Sequence, residues 1–312
     1  MPNSIAKRPI REQVERIIGY LLNFNTLYNM RSGMLVMLVY SVIVTFTYET
    51  YFQTTKINNT AHSILGLVLG LLLVFRTNTA YDRWWEGRKL LGLFVSNARA
   101  LAIKANALVQ KPEDRQAVAR LIAAYGFALK NHLRNITKID YYPLLTDHER
   151  AHLAKMKHIP NAIVGLLYAR LHQLHQEEGT AAGHFVSVDN HLTAFTEALS
   201  GCERVQRTPM PIAYGVHLYQ FLHLYLFTLP LILLDELDYW TIPVSCFVYY
   251  ALMGLRMIGE EIEDPFGTDV NDLPVETICN TVYNNVYEAL QVPLRETSPE
   301  AETAAAYVNG QG

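Results

Sequence analysis

The chain has 312 residues, half of them hydrophobic and only 18% charged, with 26 basic against 29 acidic side chains. A net charge of −3 excludes a strongly basic nucleic-acid binder, and the apolar content excludes a chain disordered throughout. Three scattered cysteines, Cys202, Cys246 and Cys279, show no CxxC spacing, so buried reduced thiols are expected rather than a zinc knuckle or a disulfide framework.

Residues 1–31 form a basic leading segment with Lys7, Arg8, Arg11, Arg16 and Arg31. The first apolar run begins too late for a cleaved signal peptide, and no small-residue cleavage site precedes it. Four windows then lack any charged side chain: 32–48, 57–75, 208–234 and 239–255. A membrane-spanning helix needs about 20 largely apolar residues, which the second and third windows satisfy and the other two approach. The link between the first two windows holds one base, Lys56, and the link between the last two reads Asp235-Glu236-Leu237-Asp238. Most Lys and Arg lie in residues 82–207. The positive-inside rule therefore places the N-terminus, the middle segment and the C-terminus in the cytoplasm of a cell-membrane protein. Pro209, Pro211, Pro230 and Pro243 predict broken helices in the last two spans.

The middle segment reads as helices. Val118, Leu121, Ile122, Tyr125, Leu129 and Leu133 recur near a 3.6 period over 113–137, with Pro112 as a start signal. Thr146 to Glu149 carries a capping-box pattern for a helix over 146–157. Helices over 160–178 and 186–207 follow, and a last one over 274–290 takes Asp272 as its N-cap. Residues 296–312 are small and polar, the pattern of a disordered tail. The expected fold is all-α. Residues 32–81 supply the first two spans, 82–207 a cytoplasmic helical body, 208–258 the last two spans, and 259–295 an acidic turn and helix.

Two patterns carry candidate chemistry. Leu67, Leu71 and Phe75 recur every four residues on one helix face, with Gly66 and Gly70 forming a GxxxG step beside them. That stripe fits an ordinary lipid-facing or core surface, or a hydrophobic constriction in a symmetric pore. The second pattern is the acidic set Glu260, Glu261, Glu263, Asp264, Asp269 and Asp272, all oxygen donors suited to calcium, or simply a solvated turn. It lacks EF-hand spacing. The eleven histidines form no HExxH motif or di-iron His box. His172/His175 and His148/His152 read as helix-surface residues, and His217 and His223 as pore-lining or interhelical.

The strings 75–89, FRTNTAYDRWWEGRK, 209–214, PMPIAY, and 263–274, EDPFGTDVNDLP, resemble the prokaryotic branch of the bestrophin family. The resemblance runs in order from about residue 20 to 290. It implies a homopentameric ion channel with four spans per subunit and a cytoplasmic vestibule, permeant monovalent ions and membrane lipid as its partners, and no cofactor. It places the pore neck at Leu67, Leu71 and Phe75, the stripe already found, and a second aperture at Met210. It also implies a calcium clasp, of which Glu260, Glu261, Asp264, Asp269 and Asp272 are a remnant. Thr268 and Val270 interrupt the family's acidic run, so calcium gating is expected to be weak or absent. Arg76 and Arg83 favour anions if they face the lumen, whereas Asp235, Glu236 and Asp238 and the acidic cluster from Glu260 to Asp264 favour cations. Anion conduction comes first and cation conduction second. A membrane metalloenzyme and a receptor-type interaction protein are the readings from other classes.

Overall fold

The computed structural model describes residues 25–51, 59–136, 144–179 and 181–294. The basic residues at 7, 8, 11 and 16, Lys56 and the 296–312 tail lie outside them. Every regular element among the described residues is helical: α1 (Asn25–Tyr51), α2 (Thr60–Leu108), α3 (Pro112–Leu133), α4 (Asp147–Leu153), α5 (Ile159–Glu178), α6 (Ala182–Arg207), α7 (Ile212–Leu237), a 3₁₀ turn (Asp238–Trp240), α8 (Thr241–Glu263) and α9 (Val275–Ala289). The chain divides into two compact units: residues 1–79 with 210–260, and residues 80–209 with 261–312.

Among the described residues, three stretches are long and apolar enough to cross a membrane, Met30–Tyr51, Thr60–Leu108 and Ile212–Glu263. The third holds both α7 and α8. Asp238 separates them with a positive φ of 48°, a backbone state that Asp tolerates better than most residues. The side-chain contacts fix how the first unit packs. Tyr40 on α1 stacks on Phe227 of α7 and donates to its carbonyl at 2.8 Å, and Tyr48 bonds Asp235 eight residues further along both helices. α1 and α7 therefore run parallel. On α2, His62 stacks on Tyr225 at 4.2 Å, while Leu72 accepts from the Tyr214 hydroxyl at 3.2 Å, so α2 runs antiparallel to α7. Arg256 of α8 lies over the Tyr219 ring of α7 at 4.5 Å, and Arg76 pairs with Glu260 at 3.4 Å. Successive helices α1, α2, α7 and α8 thus alternate in direction around a core of Met30, Leu69, Leu73, Leu218, Leu222, Leu226, Leu229 and Met253.

The expected breaks in the last two apolar helices are not found. Pro209 and Pro211 precede α7, and Pro243 sits in the first turn of α8, where an amide N–H has no helical acceptor to lose. Pro230 lies inside α7 without ending it. A second departure concerns α2, which continues for 49 residues, far past the apolar run that announces it. Arg76, Asp82 and Arg83 end the hydrophobicity. They do not end the helix, because neither proline nor a turn-forming pair interrupts 60–108.

In the second unit α3 is central. Its small residues Ala119, Ala123, Ala124, Gly126 and Ala128 are buried and let neighbouring helices approach. Phe94 of α2, Tyr125 of α3 and Phe195 of α6 form a ring cluster with centroids 4.9–5.3 Å apart. The Tyr125 hydroxyl donates to the Phe195 carbonyl at 2.6 Å, and the Cys279 thiol of α9 to Gly126 O at 3.1 Å. The Thr146 capping box is formed in full: Thr146 Oγ1 accepts from Glu149 N at 3.3 Å and Glu149 Oε2 from Thr146 N at 2.8 Å. The Glu149 carboxylate also takes both Nη groups of Arg120, which ties α4 to α3. α9 starts differently from expectation. Its N-cap is Pro274, and the Asp272 carboxylate accepts instead from Asp269 N at 2.6 Å.

Truncating the fully buried Phe195 to Ala is expected to cost about 3–5 kcal/mol, and Tyr125→Phe about 1 kcal/mol, because the first opens a cavity and the second removes one hydrogen bond. Chemical unfolding of the purified protein in detergent checks the ordering.

Candidate functional site

On α2, residues 67, 71 and 75 share one face by the helical repeat. Leu67 is 69% exposed, Leu71 49% and Phe75 58%, whereas Leu69 and Leu73 on the opposite side are each 1% exposed. The stripe therefore faces away from the subunit's own core. Of the two glycines beside it, only Gly66 marks a close approach. A Cβ there would meet the Tyr225 ring and hydroxyl at 3.0–3.3 Å, while Gly70 has open space around it.

The basic residues next to the stripe are engaged within the subunit. Arg76 is 7% exposed, and Glu260 receives both its Nη2 at 3.4 Å and that of Arg256 at 2.8 Å. Arg83 spreads its guanidinium over three backbone carbonyls. Nε donates to Glu263 O at 3.1 Å, Nη2 to Val205 O at 2.7 Å, and Nη1 to Thr208 O. These carbonyls belong to the ends of α8 and α6 and to the residue just past α6, where helical acceptors run out of amides. A lumen-facing role for either arginine as a free positive charge is not what this arrangement offers.

The next residue continues the same junction. Trp84 Nε1 donates to Asn271 O at 3.0 Å, and the Asn271 amide bonds Glu261. Gly87 lies against Phe266 and Leu273, with room for a Cβ only at 3.1–3.2 Å from each. The Arg-Trp-Trp-Glu-Gly string and the Asp-Pro-Phe-Gly string, far apart in sequence, thus form one packed junction. Tyr81 and Trp85 stay exposed on the subunit surface.

A family model described as Bacterial/Fungal Bestrophin protein matches residues 8–288. The chain belongs to the bestrophin family. This bestrophin is 38% identical over 259 residues to a voltage-dependent anion channel-forming protein of Nostoc sp., covering 80% of this chain and 82% of that one. It is 28% identical over 300 residues to a protein of the same description from Escherichia coli K12, covering 96% and 95%. Among solved structures, a bacterial bestrophin homologue from Klebsiella pneumoniae superposes with a TM-score of 0.79 at 28% identity, over 84% of this chain and 98% of that one. Family and apolar helices together make the bestrophin a membrane protein.

The remaining sequence candidates fall into two regions. Asp235, Glu236 and Asp238 are exposed at the α7–α8 turn, Asp235 taking the Tyr48 hydroxyl. In the turn after α8, Asp264 and Asp269 are exposed and Asp272 half-buried, and among the described residues these carboxylates do not gather into a three-ligand cluster. Met210 sits half-buried in the short link between α6 and α7. His217 packs against the Phe221 ring at a tilt of 50° and His223 bonds Tyr219 O, both along their own helix. Among the described residues, the bestrophin does hold one group with metal-ligand character that the sequence gives no hint of: His132, His158 and Glu203. Separations of 26 and 45 residues match no motif, and only the packing of three helices brings them together.

Burial pushes the Asp272 carboxyl up from 3.8 to about 6, and the charges of Asp269, Asp264 and Glu261 add to the rise while the Asp269 N–H opposes it. The folded chain thus keeps a proton that the unfolded chain has already lost, and this stabilisation disappears as pH climbs through about 6. Asp272→Asn, which retains an acceptor for Asp269 N, is expected to raise the melting temperature most above that pH and least below 3.8, in a detergent thermal-melt series. A gain independent of pH contradicts the assignment.

Proposed function

We propose that this bestrophin is a passive channel for small monovalent ions, assembled as a homopentamer, with no catalytic step. The observation that carries the reading is the apolar stripe of Leu67, Leu71 and Phe75, exposed on the isolated subunit yet built on a helix whose other face is fully buried. Five copies around an axis turn that stripe into three stacked apolar rings, each about one helical turn, roughly 5.4 Å, from the next. Such a neck passes ions when wet and blocks them when dry. The alternating directions of α1, α2, α7 and α8 support four crossings per subunit. The excess of bases in 1–31 and 82–207 supports cytoplasmic N- and C-termini.

Anions, chloride foremost, are the first choice of permeant ion, because relatives from Nostoc and Escherichia coli are described as anion channel-forming proteins. One observation favours the cation alternative: Asp235, Glu236 and Asp238 are exposed together, whereas Arg76 and Arg83 are committed to internal partners. Reversal potential in a planar bilayer under a KCl gradient separates the two. A value near the chloride equilibrium potential supports the anion channel, and one near potassium's transfers the assignment to cations. Met210 is assigned a second constriction on the cytoplasmic side.

Leu71→Ser and Phe75→Ala are expected to widen or wet the neck and raise single-channel conductance several-fold, with Leu67→Ser acting in the same direction. Unchanged conductance in all three variants removes the stripe from the pore. Because the acidic donors after α8 stay dispersed, flux is expected to be the same in chelator and in micromolar calcium. A steep calcium dependence overturns that.

A further inference from the structure

We propose that His132, His158 and Glu203 form a binding site for a divalent transition-metal ion of the zinc class. The three side chains come from three elements: His132 from the last turn of α3, His158 from the N-cap of α5, and Glu203 from α6 one turn before its end. Their donor atoms all lie within 4.8 Å of one another. His132 Nε2 is 2.6 Å and His158 Nε2 2.8 Å from the same Glu203 oxygen, and the two imidazole rings lie 4.5 Å apart.

The donor set selects the ion. Two imidazole nitrogens and one carboxylate oxygen suit zinc with a water in the fourth position, whereas calcium takes oxygen ligands. A tetrahedral ion with bonds of about 2.0–2.1 Å holds its ligand atoms about 3.3 Å apart, so each histidine needs to open from Glu203 by less than about 1 Å. The side chains of His132, His158 and Glu203 are 22, 32 and 18% exposed, enough for an ion to enter from solvent.

Two groups compete with the ion. Arg207 Nη2 lies 3.6 Å from the same Glu203 oxygen, but its side chain is 66% exposed and free to swing outward. His158 Nδ1 accepts from Asn161 N at 3.4 Å, a long cap that fixes the proton on Nε2. Metal at Nε2 moves that proton to Nδ1 and gives up the cap. A neutral imidazole thus exchanges tautomer without net proton release, and an imidazolium releases one proton. The bound ion ties the ends of α3 and α6 to the start of α5, and α6 ends three residues before Met210.

The test uses the full-length purified protein in detergent, stripped with EDTA and titrated with zinc chloride. One zinc per chain, a raised melting temperature and X-ray absorption showing two imidazole ligands are expected. His132→Gln and His158→Gln are each expected to weaken binding by at least about 100-fold, beyond the roughly 10–100-fold of outer-shell partners. A His172→Gln/His175→Gln variant, altered elsewhere on α5, is expected to bind as the parent does. No zinc bound, affinity unchanged in the ligand variants, or an absorption spectrum without imidazole overturns the site. The spectrum needs only the parent protein, so it decides even if a ligand variant fails to fold.

Discussion

Helix ends are the constraint on which the second unit depends. A helix stops with carbonyls that no amide of its own can reach, and burying them unpaired is costly. Here one guanidinium, that of Arg83, answers three such groups at the end of α8, at the end of α6 and just beyond it. Lysine cannot substitute in kind, because a single ammonium lacks the planar fork that addresses three acceptors in different directions. The Trp84 indole and the close face at Gly87 then seat the acidic turn against the same segment of α2. Two of the three strings that mark the family in sequence, 75–89 and 263–274, are therefore one structural joint, and their joint occurrence has a physical cause.

That joint changes the electrostatic picture of the subunit. Arginines beside an exposed apolar stripe invite a reading as anion attractors, yet here one is buried against Glu260 and the other is saturated by carbonyls. Their charge is taken up inside the subunit. The exposed charge at the α7–α8 turn is acidic. Any preference for anions must then arise from other surfaces.

The sequence discloses the parts of this structure whose signal is local. The capping box at Thr146 and the 3.6 period of α3 are contained in a few residues each, and the helices start close to them. The family strings were legible for the same reason. Non-local features were not. The extension of α2 to Leu108 leaves no apolar trace, since residues beyond Phe75 mix charge with hydrophobicity to suit a different environment. Asp272 resembles an N-cap in sequence but turns to Asp269, because Pro274 takes the cap position. The expected breaks at proline failed because three of the four prolines fall before α7 or in the first turn of α8. His132, His158 and Glu203 meet only through the packing of α3, α5 and α6, and no spacing could reveal them.

The thiols have a practical corollary. Cys202 is fully buried and its environment pushes the group up to about 12, so almost none of it is thiolate at neutral pH. Cys279 is also buried, donating to a backbone carbonyl in the core. Cys246 alone of the chain's three cysteines has appreciable accessible surface. Replacing that one residue leaves a protein nearly silent to maleimides and methanethiosulfonates. A cysteine introduced on the exposed face of α2 then reports its own accessibility without rebuilding the core.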